Sequence, residues 1–381
     1  MEGGTDMRLR DLGVAMGNVS PGPNNAITDV AGVQVGHTTL IEGDGPLIVG
    51  RGPVRTGVTV ILPGEAVGEE SLFAGIHSLN GNGELTGAHW IRESGLLTTP
   101  VAITNTHSVG VVHDALIAWK VGRHDSGEVF WSLPVVGETW DGVLSDIDGM
   151  HLKPEHVWAA IEGAGPGPVA EGNVGGGTGV ISHGFKGGVG TASRALGEGD
   201  GGWTVGVLVQ ANHGRRSRLS IDGVPVGREV PESEVPVPRL PSAAPPGTGS
   251  IIVVVATDAP LIPNQCDRLA HRAALGIART GGAGENSSGD LILCFSTGNR
   301  EIPADLWPWQ SPGPGSIELR MVPHHAMNPL FYATIDATEE AIANALLQAE
   351  TMTGRDGITA HALDPDRLLE VMGRYGRGPG E

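Results

Sequence analysis

Positive charge is scarce in this chain: Lys and Arg number 24 against 43 Asp and Glu, a net charge of −19 over 381 residues. That deficit argues against general nucleic-acid binding and against docking on an anionic membrane surface. Cysteine is nearly absent. Cys266 and Cys294 stand alone, with no CxxC, and read as buried small hydrophobes rather than a disulfide. Long apolar runs are missing too. The strongest, Ile251–Ala256, is far too short to span a bilayer. The opening MEGGTDMRLRDLG has no apolar h-region, so no signal peptide is expected. The 14 histidines, His107, His113, His183 and the pair His324-His325 among them, show no HExxH or other metal spacing, so no metal is expected. Charged residues make up only 18%, which excludes a disordered acidic tail. These absences predict a soluble, cytoplasmic, acidic protein.

Glycine and proline are plentiful, 61 and 27, without a Gly-X-Y period. Spread through apolar segments, they suit tight turns and disfavour a coiled coil or long helical bundle. The length allows one large domain or two ordinary ones, with ample core. Short β-branched runs predict strands at Val58–Leu62, Val101–Thr104, Ser132–Val136, Thr204–Ala211, Ile251–Ala256, Leu291–Ser296 and Ile317–Met321. Amphipathic stretches predict helices at Ser71–Leu79, Val109–Val121, Pro154–Glu162, Asn264–Thr280 and Thr338–Met352. Pro154 suits a first helical position, Asn264 with Asp267 resembles a capping box, and Gly281-Gly282 and Gly354 read as stops. The mixture favours an α/β or α+β layered fold. No internal repeat is present. Residues 221–249 hold seven prolines and read as an exposed, extended segment without regular structure.

That segment runs from Gly249-Ser250 directly into Ile-Ile-Val-Val-Val, a buried-strand signature. Ser250 either ends a linker or stands where an N-terminal nucleophile would. If the Gly249–Ser250 bond is cut, the new α-amine, with an ordinary pKa of about 7.7–8.0, can serve as a base beside its own hydroxyl. Gly249 leaves its carbonyl open to attack. Ser288 and Asp290, two apart before LILCFST, are either a polar turn or a hydroxyl–carboxylate relay on one strand face. Asn212 either turns the chain after a strand or donates to an oxyanion. Glu138, after the apolar LPVV, is either a solvated carboxylate or a seat for an ammonium group. The glycine-rich blocks within 172–190 fit neither GxxxxGK[ST] nor a clean GxGxxG, so close backbone packing or an amide-lined site is the better reading than a nucleotide cradle.

Six long blocks carry a resemblance over nearly the whole chain: NAITDVAGVQVGHTTL, LPVVGETWDGVLSDI, EGNVGGGTGVISHGFKGGVGTASR, VGVLVQANHGRR, GSIIVVVATDAPLIPNQCDRLAHRAALGIARTGG and SSGDLILCFSTGN. In that order they resemble the autoprocessing aminopeptidases typified by L-aminopeptidase/D-Ala-esterase/amidase (DmpA) and the β-peptidyl aminopeptidases. The resemblance implies a single composite α+β domain, an αββα sandwich similar to N-terminal-nucleophile hydrolases but with different connectivity. It implies self-cleavage into residues 1–249 and 250–381, no cofactor, and a homotetramer of cut protomers. By position, Ser250 would be the nucleophile, Ser288 and Asp290 its assistants, Asn212 the oxyanion donor and Glu138 the holder of the substrate's free amine. DmpA-type enzymes can place a tyrosine where this chain has Trp140. An indole has a donor but no acceptor and no acidic hydroxyl, so Trp140 is read as pocket wall. The expected substrates are short peptides, amides or esters with a free N-terminal amine. An acyltransferase similar to ornithine acetyltransferase, which would carry threonine at the cut, and a non-enzymatic glycine-rich module are the rival readings.

Overall fold

The computed structural model describes residues 7–64, 67, 70–123, 130–240, 249–303 and 315–378. Its first half runs β1 Gln34–Glu42, β2 Val54–Leu62, β3 Glu70–Gly81, α1 Ala88–Ser94, β4 Leu96–Leu97, β5 Val101–Asn105, α2 Val109–Val121, β6 Val135–Thr139 and α3 Pro154–Glu162. Then come β7 Ile181–Ser182, β8 Phe185–Lys186, β9 Gly188–Ala195, β10 Thr204–Asn212 and α4 Val226–Glu229. The last part is β11 Ser250–Thr257, α5 Pro263–Arg279, β12 Gly289–Ser296, β13 Ile302–Pro303, α6 Asn328–Leu347, β14 Met352–Thr353, β15 Thr359–Ala360 and α7 Pro365–Arg374.

Two sheets stack face to face between two helical layers, an αββα sandwich. One sheet has the order β1-β2-β5-β6, the other β13-β3-β12-β11-β10-β9 with β4 paired to β3. The second is mostly antiparallel, but its centre, β11 against β12, is parallel. Strand β11 shows why its sequence is apolar without a break. Ile251, Val253 and Val255 pack toward α5 and α6, while Ile252, Val254 and Ala256 pack toward the first sheet. Both faces are buried, so the period-2 alternation vanishes. Each fully buried Val or Ile contributes about 1.5–3 kcal/mol by leaving water. Across the sandwich, Val58, Val60, Ala102 and Val136 meet Val112, Leu116, Val157 and Ile161 of α2 and α3.

Several expected elements shift or change type. Ser71–Leu79, expected to be helical, lies within strand β3. Leu72, Phe73, Ile76 and Leu79 carry helix-like spacing only because most of this strand is covered on both sides. Gly75 makes that cover possible: a Cβ there would stand 2.2 Å from the Asp267 backbone nitrogen of α5. Ile317–Met321 joins no sheet, and Ile317, Leu319 and Met321 stay about half exposed. The expected strand Ser132–Val136 begins at Val135 and runs on to Thr139. The expected helix Thr338–Met352 begins ten residues earlier, at Asn328, and ends at Leu347, so Gly354 does not close it. A further helix, α7, follows. Helix α5 starts at Pro263, and its back-bond comes from Gln265 to the Ile262 N–H rather than from Asn264 and Asp267.

The proline-rich stretch is also corrected over its first part. Ile221, Val224, Val226 and Val230 are buried in a core with Leu9, Phe185, Leu346 and Leu368, and Val226–Glu229 is helical. Proline there sets turns under a packed segment instead of an exposed linker. Residues 241–248, the rest of its proline-dense part, lie outside the described residues. Both cysteines are buried free thiols. Among the described residues, no helix is long and apolar enough to cross a membrane.

Candidate active site

One end of the sandwich gathers the termini of six strands. β10 ends at Asn212 exactly where β11 begins, with Asn212 and Ser250 as register partners. On the other side Ile251 pairs with Asp290 at the start of β12, and Asp290 pairs with Asn80 near the end of β3. A register shift between Asp290 and Leu291 marks a bulge, a device that re-aims side chains at strand ends. β6 and β5 end nearby with Thr139 and Asn105.

Ser250 is 6% exposed. By alternation it shares the inter-sheet face of Ile252 and Val254. Among the described residues its hydroxyl has one hydrogen bond, accepted from the Gly289 N–H at 3.0 Å. That contact holds the oxygen and leaves its own proton uncommitted. Gly249 is confined: a Cβ there would stand 1.8 Å from the Asn212 carbonyl oxygen. Only glycine fits at the residue whose carbonyl the neighbouring hydroxyl would attack.

Asn212 is held from both ends of its amide. Its Oδ1 accepts from the Ile181 N–H at 2.8 Å, and its Nδ2 donates to the Trp140 carbonyl at 3.0 Å. An amide nitrogen has two hydrogens, so one remains to donate. The Trp140 indole sits at the rim, 36% exposed, folded over Gly142. Its backbone carbonyl, not its ring, orients Asn212.

Ser288 and Asp290 come together as expected: the Ser288 hydroxyl donates to Asp290 Oδ1 at 2.5 Å. Burial pushes the Asp290 carboxyl up to about 6, aided by the Glu285 charge and opposed by the Ser288 hydroxyl and the Ile251 N–H. Neither side chain hydrogen-bonds Ser250 in the uncut chain; the link between them and Ser250 is the Gly289 backbone between them. The loop that carries them is stapled to the end of β3. Asn80 Nδ2 donates to the carbonyls of Glu285 and Ser288, both at 2.6 Å, and Asn82 Nδ2 to Ser287 at 2.8 Å.

Glu138 is buried at the end of β6. Its Oε1 accepts from the Glu84 N–H at 3.0 Å and its Oε2 from the Thr106 hydroxyl. Burial raises its pKa, with those two donors pulling down. The carboxylate adjoins the serine site: Glu138 Oε1 and Gly289 Cα both lie 3.1 Å from where a Cβ on Gly83 would stand. Sequence reading passed over Asn80, Asn82, Gly83, Glu84 and Thr106. The signal was the run Asn-Gly-Asn-Gly-Glu at 80–84, hidden because the preceding strand had been read as a helix. Among the described residues no group of three or more His, Cys, Asp or Glu is arranged to hold a metal ion.

A serine opening the central strand of an αββα sandwich, directly after a glycine, defines a hydrolase of the N-terminal-nucleophile type. The profile of peptidase family S58 matches residues 25–360, and the chain belongs to that family. It is 49% identical over 378 residues to beta-peptidyl aminopeptidase BapA of Sphingosinicella microcystinivorans, covering 97% of this chain and 93% of that one. Two solved structures superimpose over 97% of this chain and 99% of their own. A Burkholderia sp. beta-aminopeptidase does so with TM-score 0.90 at 50% identity. The L-aminopeptidase D-Ala-esterase/amidase of Ochrobactrum anthropi, described as a prototype for the serine aminopeptidases and a new variant among the Ntn hydrolase fold, gives 0.86 at 44%. The chain is therefore an aminopeptidase-type hydrolase. The acyltransferase and non-enzymatic readings find no support.

Proposed function

We propose that the chain cuts its own Gly249–Ser250 bond and that the freed Ser250 then hydrolyses short peptides, amides or esters bearing an unblocked N-terminal amine, β-aminoacyl peptides first among them. The observation that carries this is Ser250 itself: buried, oxygen held by the Gly289 N–H, opposite Asn212, and preceded by a glycine that nothing else could replace. In self-cleavage Ser250 Oγ attacks the Gly249 carbonyl and the acyl group shifts from nitrogen to oxygen. Water then splits the ester, leaving a Gly249 carboxylate and a Ser250 α-amine. In turnover that amine takes the Oγ proton as Oγ attacks the substrate carbonyl, and passes it to the leaving amine. Asn212 and nearby backbone N–H groups face the developing oxyanion. Water releases the acyl group from Oγ.

Glu138 is assigned to the substrate ammonium. A free amine meets a desolvated carboxylate there, a charge-assisted bond that an N-acetylated substrate forfeits. We expect acetylated peptides to be poor substrates, and Glu138→Ala to lose turnover on free-amine substrates more than it loses self-cleavage. Equal kcat/KM on blocked and free peptides removes this role.

Asp290 sets a pH dependence on the cut. Its raised pKa leaves it protonated below about 6 and ionised above. Only the ionised form can take up the Ser288 proton and ready that hydroxyl for the Ser250 proton. Self-cleavage of fresh precursor should therefore slow as pH falls through about 6. Asp290→Asn should be slow at every pH. An intact-mass time course reads this, and a wild-type rate independent of pH reduces Asp290 to a turn residue.

The mature form is proposed to be a cytoplasmic homotetramer of cut protomers. Exposed Ile48 and Val49, and the half-exposed Ile317, Leu319 and Met321, supply apolar surface for such contacts.

A further inference from the structure

Directly behind Asn212 lie two charges that the proposed chemistry does not use. Asp141 follows Trp140 in the turn leaving β6 and points inward, 1% exposed. Among the described residues neither of its oxygens has a donor at hydrogen-bonding geometry, although Thr56 and Asn105 face it. Lys186 in β8 is wholly buried, its Nζ donating to the carbonyls of Gly177 at 3.2 Å and Gly187 at 2.7 Å. Burial drives the two groups in opposite senses, Asp141 up to about 7 and Lys186 down to about 7, while the Asp141 charge works to keep the lysine protonated. A buried charge is a costly placement unless an opposite charge or a set of dipoles answers it.

Both residues bear on the glycine-rich block that precedes β7. Lys186 fixes the Gly177 carbonyl, and a Cβ on Gly179 would stand 3.1 Å from the Asp141 Cβ and 2.0 Å from the Arg55 carbonyl oxygen. Two residues further, the Ile181 N–H holds Asn212 Oδ1. The other holder of Asn212, the Trp140 carbonyl, belongs to the residue before Asp141. Each grip on the Asn212 amide thus belongs to a segment that carries or touches one of the buried charges.

We infer that Asp141 and Lys186 are positioning residues for the oxyanion hole. Their attraction across the glycine block locks the Trp140 turn and the Ile181 N–H so that the remaining Asn212 N–H points at the oxyanion. Lys186 and its carbonyl bonds act on the Oδ1 side, and Asp141 acts on the Nδ2 side. Gly179 is a glycine because a side chain there would collide with Arg55 and Asp141. This inference rests on the role of Asn212 proposed above.

The test uses self-cut enzyme, confirmed by intact mass, and a free-amine peptide. Asp141→Asn keeps the shape and removes the charge. Its kcat should fall roughly 10- to 100-fold, a fraction of the loss from removing an oxyanion donor outright, with KM within about twofold. In an Asn212→Ala background the same change should alter kcat by less than about twofold, because coupled residues are non-additive. Lys186→Met should behave alike. Should either single variant fail to fold, Asp141→Asn with Lys186→Met removes both charges together and should fold with the same kcat deficit. Wild-type kcat in folded Asp141→Asn, or an equal fold-loss with and without Asn212, overturns the inference. Wild-type enzyme without turnover on any free-amine substrate would instead sink the proposed function.

Discussion

Ser250→Ala should remain one uncut chain of 381 residues and show no turnover above background. The substitution removes a single oxygen. Among the described residues its one hydrogen-bond partner is the Gly289 N–H, so the folding cost is the loss of one buried donor's acceptor, about 1–3 kcal/mol. The strand behind it, Ile251 to Ala256, is untouched and keeps its two buried faces. The chemical loss is of another order. Removing a serine nucleophile in an otherwise intact hydrolase costs roughly a million-fold in kcat. On the proposed mechanism the same atom also cuts the chain, so the amine that would serve as base never forms. Denaturing electrophoresis with a peptide-hydrolysis assay reads both at once. A variant that cuts efficiently without added protease, or hydrolyses at wild-type rate, places the nucleophile elsewhere.

Asn212→Ala should lower kcat roughly 10²–10³-fold, the usual loss for one oxyanion donor. Its stability should also drop measurably. The Asn212 side-chain oxygen Oδ1 is the acceptor for the partly buried Ile181 N–H, and Ala leaves that donor unpaired at a cost of about 1–3 kcal/mol. The transition should nevertheless remain cooperative, because the register of β10 against β11 is backbone-made and continues for eight pairs. Thermal unfolding with steady-state kinetics separates the two effects. Wild-type turnover in folded Asn212→Ala moves the oxyanion hole to backbone N–H groups such as that of Gly289.

What could be read from the chain depended on whether a segment's environment left a signature in its own residues. Pro154–Glu162 was legible to the residue because proline at the first helical position and an apolar face are local facts. The strand after Ser250 was legible because burial on both faces writes an unbroken β-branched run. The same double burial hid β3, where Leu72, Phe73, Ile76 and Leu79 fall at helical intervals and Gly75 makes room for α5. Strand β9 was hidden by its glycines. Gly190 is a glycine because a Cβ there would stand 2.0 Å from the Ala341 carbonyl of α6, a contact 151 positions away that no local pattern records. Ile317–Met321 alternates like a strand but finds no edge to join. At the site, Ser250, Asn212, Ser288, Asp290 and Glu138 were all visible as residue types at strand ends, and the fold brings them to one end of the sandwich. Their holders were not: the Gly289 and Ile181 N–H groups are backbone, and Thr106 and Asn80 come from segments far away in sequence that only the sheet pairing brings alongside.

The central claim is that Ser250 becomes both nucleophile and N-terminus. Intact-mass measurement of freshly purified wild-type protein, under denaturing conditions and after a pulse of a slow ester bearing a free amine, tests it in one experiment. The account predicts two fragments, residues 1–249 and 250–381, with the second heavier by one acyl group and beginning at Ser250. A full-length chain that turns over substrate, or an acyl group carried on the first fragment, would contradict it.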